Sequence, residues 1–173
     1  MKTPGDFTRP IIEQFVDEIV VVEEDLVADA MVMLMDRSKL YVEGGGAVGV
    51  SALLSGQVVP SATGTTCVVL SGGNVDLGLV PNLIRRNETQ AGRRLILFVR
   101  ISDRPGGLAR LLTLFAGAGA NLIEVEHVRE GISLHVRETG VQVVLEVRGR
   151  EHSDSVISMA RQNDYVVDEV ISR

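Results

Sequence analysis

The sequence has no tryptophan, a single cysteine and only 3% aromatic residues. One cysteine excludes an internal disulfide, and Cys67 stands in an apolar run where we expect a small core residue rather than a nucleophile. So few aromatic side chains leave no stacking platform for single-stranded nucleic acid. No apolar run is long enough to cross a bilayer and the N-terminus lacks the apolar stretch of a secretory signal, so we expect a cytoplasmic protein.

Basic charge is also scarce in the first half of the chain. Residues 1–92 contain 6 basic and 12 acidic side chains, whereas residues 93–173 contain 11 of each. Neither half is basic enough to favour binding to nucleic acid. The composition changes around the polar residues 87–92, and we therefore predict two regions, residues 1–90 and residues 93–173.

The second region has the pattern of a β-α-β-β-α-β unit. An apolar strand over residues 95–101 precedes a helix whose apolar side chains have helical spacing, namely Leu108, Leu111, Leu112 and Phe115, and Gly117 and Gly119 end that helix. Strands follow over residues 122–129 and 141–147, the latter with Val141, Val143, Leu145 and Val147 inward and Gln142, Glu146 and Arg148 outward. A helix capped by Ser153 buries Val156, Ile157 and Ala160, and a last strand covers residues 165–171. The sequence thus predicts a ferredoxin-like sandwich.

The first region alternates helix and strand. Acidic residues 23–25 and apolar residues at helical spacing, Val27, Ala30, Met31 and Leu34, predict one helix, and a second apolar helix ends at Leu54. We predict a short strand over residues 40–42 and a buried parallel strand over residues 67–70. Two strands are too few for a doubly wound sheet, so we expect the end of a larger α/β domain.

The junction at residues 102–107, Ser-Asp-Arg-Pro-Gly-Gly, is the most informative segment of the chain. It joins the first strand of the second region to a helix, so backbone N–H groups at the helix N-terminus face outward. Such a junction is suited to a small anion, which favours ligand sensing over bond-making chemistry.

Three further motifs allow alternative interpretations. Residues 44–49 fit the G-x-G-x-x-G pattern of a dinucleotide site, but no acidic residue lies about 20 positions further on to hold the ribose. The turn at residues 71–74 either holds a cofactor ring or is a plain turn. His127-Val128-Arg129-Glu130 recurs as His135-Val136-Arg137-Glu138, and without a third ligand we favour solvated histidines over a metal site.

Two blocks of the first region resemble the C-terminal part of threonine dehydratase (threonine ammonia-lyase). They are residues 39–47, Lys-Leu-Tyr-Val-Glu-Gly-Gly-Gly-Ala, and residues 69–76, Val-Leu-Ser-Gly-Gly-Asn-Val-Asp. Residues 2–5 and 16–20 also look like the segment that leads out of the large lobe of that family. The resemblance implies a partial α/β lobe of a pyridoxal-phosphate fold.

In that family the serine of the turn meets the pyridine nitrogen, which would be Ser71 here, and the glutamate near the ring would be Glu43. The resemblance implies that Gly72, Gly73 and Asn74 belong to the same cofactor-binding turn. The family's Schiff-base lysine, substrate loop and phosphate cup lie upstream of residue 1, and neither Lys2 nor Lys39 is placed as that lysine. We therefore expect no catalytic residue, no pyridoxal phosphate bound by this chain alone and no deaminase activity from it.

The junction at residues 102–107 and the element order after it resemble an ACT domain, an amino-acid-sensing module often appended to threonine dehydratases. The resemblance covers residues 94–171 and implies effector contacts from Asp103, Pro105, Gly106, Gly107 and Asn121. Asp103 would cap the following helix or bind a ligand amine, and the amides of Gly106 and Gly107 would meet a carboxylate.

Together these resemblances imply a C-terminal fragment of a threonine dehydratase, an enzyme of isoleucine biosynthesis, with a regulatory ACT domain. We expect this domain to bind an amino acid such as isoleucine or valine and to form a homodimer or higher oligomer. One alternative is the lyase itself, completed by a missing N-terminal part; another is a purely structural dimerisation module.

Overall fold

The computed structural model describes residues 5–129, 135 and 137–170. The chain divides into an N-terminal unit that ends at Leu83 and a C-terminal unit that begins at Ile84. This division falls inside helix α4, Val80–Gln90. Most of the polar stretch at residues 87–92, where we placed the boundary between the two regions, therefore forms the end of a helix. Thr89 Oγ1 donates a hydrogen bond to the Arg85 carbonyl at 2.8 Å there, so its polar side chain is compatible with the helix.

The C-terminal unit consists of a four-stranded antiparallel sheet and two helices. Its elements are β1 Arg94–Ser102, α5 Gly107–Gly117, β2 Asn121–Val128, β3 Glu138–Glu146, α6 Arg150–Gln162 and β4 Val166–Glu169. The strands lie in the order β2-β3-β1-β4. This order and the β-α-β-β-α-β sequence confirm the predicted ferredoxin-like fold. The last predicted residue of the final strand, Ile171, lies outside the described residues.

The core of this unit follows from the alternation in β1. Leu95, Leu97, Val99 and Ile101 are buried against the helices, whereas the residues between them are half-buried on the other face. Leu111 and Phe115 of α5 and Val156 and Ala160 of α6 complete the same core. Fully burying each large apolar side chain contributes about 1.5 to 3 kcal/mol to folding.

Strand β3 departs from the predicted alternation at one position. Val141, Val143, Leu145 and Val147 are buried as expected, but Val144, on the opposite face, is also only 3% exposed. The reason is that β3 lies between β1 and β2, where Val144 is flanked by Ile96 and Glu124. Neighbouring side chains on both strands therefore cover it.

The start of α6 also differs from the prediction. The helix begins at Arg150, with Gly149 at its N-cap, so Ser153 is not the capping residue. Instead, the buried Ser153 Oγ donates a hydrogen bond to the Gly92 carbonyl at 3.2 Å. This contact fixes the first turn of α6 to the residues that precede β1.

The N-terminal unit is helical in the described residues. It contains α1 Thr8–Phe15, α2 Glu24–Met33, a π-helical turn Leu34–Ser38 and α3 Gly44–Leu54, followed by the start of α4. Its core comprises Ala30, Met31, Leu34, Val42, Ala47 and Leu83. The two predicted helices are thus present, and α3 ends at Leu54 as expected.

The two predicted strands of this unit are not formed. Residues 40–42 and 67–70 have no strand assignment, and Cys67 is exposed rather than part of the core. A parallel strand needs a hydrogen-bonded neighbour and cover on both faces. The described part of the unit supplies neither, so Val69 is 81% exposed despite its apolar surroundings in the sequence.

The N-terminal unit exposes much apolar surface. Helix α1 has no buried residue, and Ile11 and Phe15 on it are 58% and 70% exposed. Val59, Val69 and Leu77 are each more than 70% exposed. No described helix has the length and apolar character needed to span a membrane.

Within the C-terminal unit, His152 joins the ends of its two helices. Its Nδ1 accepts a hydrogen bond from the Arg148 N–H at 3.1 Å, so Nε2 carries the proton and donates to the Ala118 carbonyl at 2.8 Å. We predict that His152→Ala lowers the free energy of unfolding by about 1 to 2 kcal/mol, because both hydrogen bonds are lost at a half-buried ring.

Urea unfolding followed by the amide NMR signals of α5 and α6 measures this effect. The exposed His127 serves as the control, and His127→Ala should change the free energy of unfolding by less than about 0.5 kcal/mol. A His152→Ala protein as stable as the unsubstituted chain would contradict this role.

Candidate functional site

The loop between β1 and α5 forms an exposed turn of four residues, Asp103, Arg104, Pro105 and Gly106. Gly106 has φ of +85° and is the N-cap of α5, and its carbonyl accepts the Arg110 N–H at 3.0 Å. A Cβ at Gly107 would lie 2.2 Å from the Ser102 carbonyl oxygen. Both glycines are therefore required by the backbone, which turns directly from the strand into the helix.

Asp103 lies at the start of this loop. Its backbone N–H donates to the Arg137 carbonyl at 2.9 Å, and its Oδ1 lies 3.5 Å from Arg129 Nη2. No side chain caps α5, so the expectation that Asp103 caps this helix is wrong. The loop turns away after Asp103 and leaves Gly106 at the cap position. The exposed Asp103 carboxylate remains a candidate partner for a ligand amine.

The amide of Gly107 already has a partner within the loop. The Gly107 N–H donates to the Arg104 carbonyl at 2.9 Å and so closes the turn. A ligand carboxylate would compete with that bond for the Gly107 N–H, and the predicted contact of this amide with a carboxylate remains a prediction. Pro105 and Gly106 are exposed between these partners.

Asn121 lies far from this loop within one chain. It begins β2, where Asn121 pairs with Glu146 and Glu146 with Arg94, whereas Ser102 pairs with Glu138 at the other end of the ladder. At about 3.3 Å per residue, these two ends are more than 20 Å apart. The Asn121 Nδ2 donates to Glu146 Oε2 at 3.0 Å. One copy of the domain therefore does not bring Asn121 and Asp103 together.

The residues predicted to contact a cofactor lie together in the N-terminal unit. The Glu43 N–H donates to the Gly72 carbonyl at 3.1 Å, and Ser71, Gly73 and Asn74 are exposed beside it. Gly72 has φ of +73°, and a Cβ there would lie 2.1 Å from Glu43 Oε1. The turn at residues 71–74 therefore packs directly on the N-terminus of α3.

The same contact accounts for the glycine-rich motif. Residues 44–49 lie in the first turns of α3 rather than in a loop that could hold a dinucleotide. A Cβ at Gly46 would lie 1.6 Å from the Ser71 carbonyl oxygen, so this glycine permits close packing.

The residues of this turn fit only one edge of pyridoxal phosphate. Ser71 offers an exposed hydroxyl of the kind that contacts a pyridine nitrogen. The Lys39 amine instead donates to the carbonyl of Asp36 in its own turn. Lys2, with the rest of the opening block at residues 2–4, lies outside the described residues.

The histidine repeat supplies no clustered ligands among the described residues. His127 lies on β2, and both it and His135 are exposed. Glu130 and Val136 of the repeat lie outside the described residues. No group of three or more potential ligands occurs where the structure describes the chain.

The arginine side chains near the loop were not identified from the sequence as candidate site residues. Arg129 reaches Asp103, and Arg100, Arg104 and Arg137 line a pocket beside the loop. All 11 basic residues of residues 93–173 are arginine, which is the signal that favours recognition of an anion.

Comparison with known proteins agrees with the resemblances. Residues 95–158 match the ACT domain family. The chain is 46% identical to L-threonine ammonia-lyase of Geobacter sulfurreducens over 97% of this chain and 42% of that protein. It is 33% identical to L-threonine ammonia-lyase of Thermotoga maritima over 90% of this chain and 38% of that protein.

A shorter match is to the L-threonine dehydratase catabolic TdcB of Escherichia coli strain K12, 40% identical over 46% of this chain and 25% of that protein. The chain spans about two fifths of the length of the two ammonia-lyases that it matches. The resemblance to the C-terminal part of threonine dehydratase is confirmed, and so is the ACT domain.

We predict that Gly46→Ala displaces the turn at residues 71–74, because the added methyl group overlaps the Ser71 carbonyl. Overpacking of this kind typically costs about 1 to 3 kcal/mol, so hydrogen exchange of the Glu43 amide should accelerate by about tenfold or more. Gly45→Ala is the matched control because a Cβ there has no neighbour within 4 Å. Equal exchange rates in the two variants would contradict the contact.

Proposed function

Because residues 95–158 form an ACT domain in a chain similar to threonine ammonia-lyases, we propose that residues 93–173 bind a small amino acid and mediate dimerisation. The domain would regulate a threonine dehydratase of which this chain is the C-terminal part. Isoleucine or valine is the proposed effector. The observation that carries this proposal is the exposed loop at residues 102–107, with the Asp103 carboxylate outside the helix cap.

The loop offers groups of both kinds that a free amino acid requires. The Asp103 carboxylate attracts an ammonium group, and the N-terminus of α5 attracts a carboxylate. Arg129 lies 3.5 Å from Asp103 Oδ1 at an exposed position, so a ligand ammonium can replace it at little cost. The groups therefore match a zwitterion.

A second copy of the domain would supply Asn121. Strand β2 is an edge strand, and Leu122, Ile123 and Val125 on it are 39%, 54% and 36% exposed. Two-fold pairing of β2 with the partner's β2 would be antiparallel. The partner's Asn121 then approaches the end of the sheet where residues 102–107 lie. The contact of Arg129 with Asp103 supports this placement, because Arg129 directly follows β2.

The exposed apolar surface of the N-terminal unit supports its assignment to a larger lobe. Apolar side chains on α1 and around residues 59–79 lack protein cover among the described residues. Large exposed apolar patches typically mark interfaces with other protein. We propose that catalytic residues outside this chain pack here and complete the lyase.

In the completed enzyme, pyridoxal phosphate would supply the electron sink for deamination of threonine to 2-oxobutyrate. Ser71 would contact the pyridine nitrogen, and Glu43 would hold the turn that carries it. The effector would act through its differential affinity for two states of that enzyme.

We predict that isoleucine or valine binds the chain in calorimetry and that Asp103→Ala and Asn121→Ala each weaken binding by about tenfold or more, because each loses a hydrogen bond to a charged group. Asp154→Ala, on the exposed part of α6, removes the same charge elsewhere and should leave affinity unchanged. An absence of heat with every branched-chain amino acid would contradict effector binding.

Mixing the Asp103→Ala and Asn121→Ala variants, both expected to bind weakly, tests whether the site is shared between copies. In a heterodimer one site carries both substitutions and the other carries neither. Random exchange should therefore restore about a quarter of the sites, and unrestored binding would place the whole site within one copy. A dimer in gel filtration whose thermal stability no amino acid raises would instead favour the structural module.

The alternative function is the lyase itself, which the similarity to ammonia-lyases favours. We predict that the chain with added pyridoxal phosphate forms no 2-oxobutyrate from threonine and shows no aldimine absorbance, because no described lysine lies at the turn. Ser71→Ala is the control, and it should leave the background rate unchanged. Turnover that depends on Ser71 would favour the lyase.

A further inference from the structure

A pocket of about 350 Å³ lies where β1 ends, beside the loop at residues 102–107. Residues of β1, the following loop, the start of β3 and the connection from α6 to β4 line it. Its charged lining residues are Arg100, Arg104, Arg137, Glu138 and Asp164, with Tyr165 beside them. Asp103 and Asn121 do not line it, so the pocket is distinct from the proposed effector contacts.

Arg100 is the central residue of this pocket. It lies on the face of β1 that points away from the helices, between Gly140 of β3 and Val166 of β4. Gly140 has no side chain, which leaves space above the sheet next to the guanidinium. The Arg100 Nε is buried and has no hydrogen-bond partner among the described residues. Buried polar groups are nearly always paired, so this N–H indicates a missing acceptor.

The two other arginines reach the pocket from separate segments. Arg104 belongs to the β1–α5 loop, and Arg137 precedes β3. Within the described residues, none of the three arginines forms an ion pair with a carboxylate. The Glu138 carboxylate instead accepts the His135 N–H at 3.3 Å. Three cationic groups therefore face two carboxylates, and the pocket retains an excess of positive charge.

We propose that this pocket binds the phosphate group of a small phosphorylated compound. A guanidinium presents its donors as a planar fork that matches phosphate oxygens in pairs. A phosphate monoester carries nearly two negative charges and three acceptor oxygens. It therefore matches three guanidiniums better than a ligand with a single carboxylate would. The chain would then take a second ligand besides the amino acid.

Phosphorus NMR of inorganic phosphate titrated with the full chain, at constant ionic strength in chloride, tests the proposal. We expect saturable binding that Arg100→Gln weakens about tenfold or more, since charge-assisted hydrogen bonds are lost. Arg137→Gln should do the same, and as an exposed position it provides a second variant if Arg100→Gln does not fold. Arg94→Gln is the matched control, because Arg94 lies on the same face of β1 at its other end.

Glycerol phosphate and acetate complete the experiment. Glycerol phosphate binding more tightly than inorganic phosphate supports an organic phosphate, and equal affinities support free phosphate as the ligand. Acetate binding as tightly as phosphate overturns the assignment in favour of a carboxylate. No saturable binding, or an equal loss in Arg94→Gln, overturns the site itself. Asn121→Ala, which should impair the proposed amino-acid site, should leave phosphate affinity unchanged.

Discussion

The antiparallel pairing of β1 with β3 is the constraint on which the C-terminal unit depends. It runs from Arg94 opposite Glu146 to Ser102 opposite Glu138, along the full length of β1. The register sends Leu95, Leu97, Val99 and Ile101 into the helix-covered core and Arg100 to the other face. It also delivers the loop at residues 102–107 to one end of the sheet and Asn121 to the opposite end. The core, the loop at residues 102–107 and the arginine pocket therefore share one cause.

The fold of the C-terminal unit could be predicted because its signals are local. Alternation in residues 141–147 and helical spacing from Leu108 to Phe115 each identify an element without knowledge of its neighbours. Residues 67–70 show the limit of this reasoning. An apolar run becomes a strand only when other strands pair with it, and that condition lies outside the run itself. The prediction that Ser153 caps α6 was also wrong, because the helix already begins at Arg150 with Gly149 at its N-cap.

The candidate site could be predicted in part. The glycines at positions 106 and 107 are adjacent to a strand and a helix in the sequence, so their role in a tight junction was visible there. The separation of Asp103 from Asn121 depends on the sheet register, which no short motif encodes. Arg100 and Arg104 are close in the sequence, but Arg137 is distant from them, and only the pairing of β1 with β3 brings it into the same pocket.

The hydrogen bond from the Asp103 N–H to the Arg137 carbonyl joins the β1–α5 loop to the residues that lead into β3. Strand β3 in turn holds both β1 and β2. A shift of the loop therefore stretches or releases a bond whose acceptor lies immediately before the inner strand β3. The amide proton of Asp103 is thus an intrinsic reporter, whose chemical shift can follow loop position without an attached label.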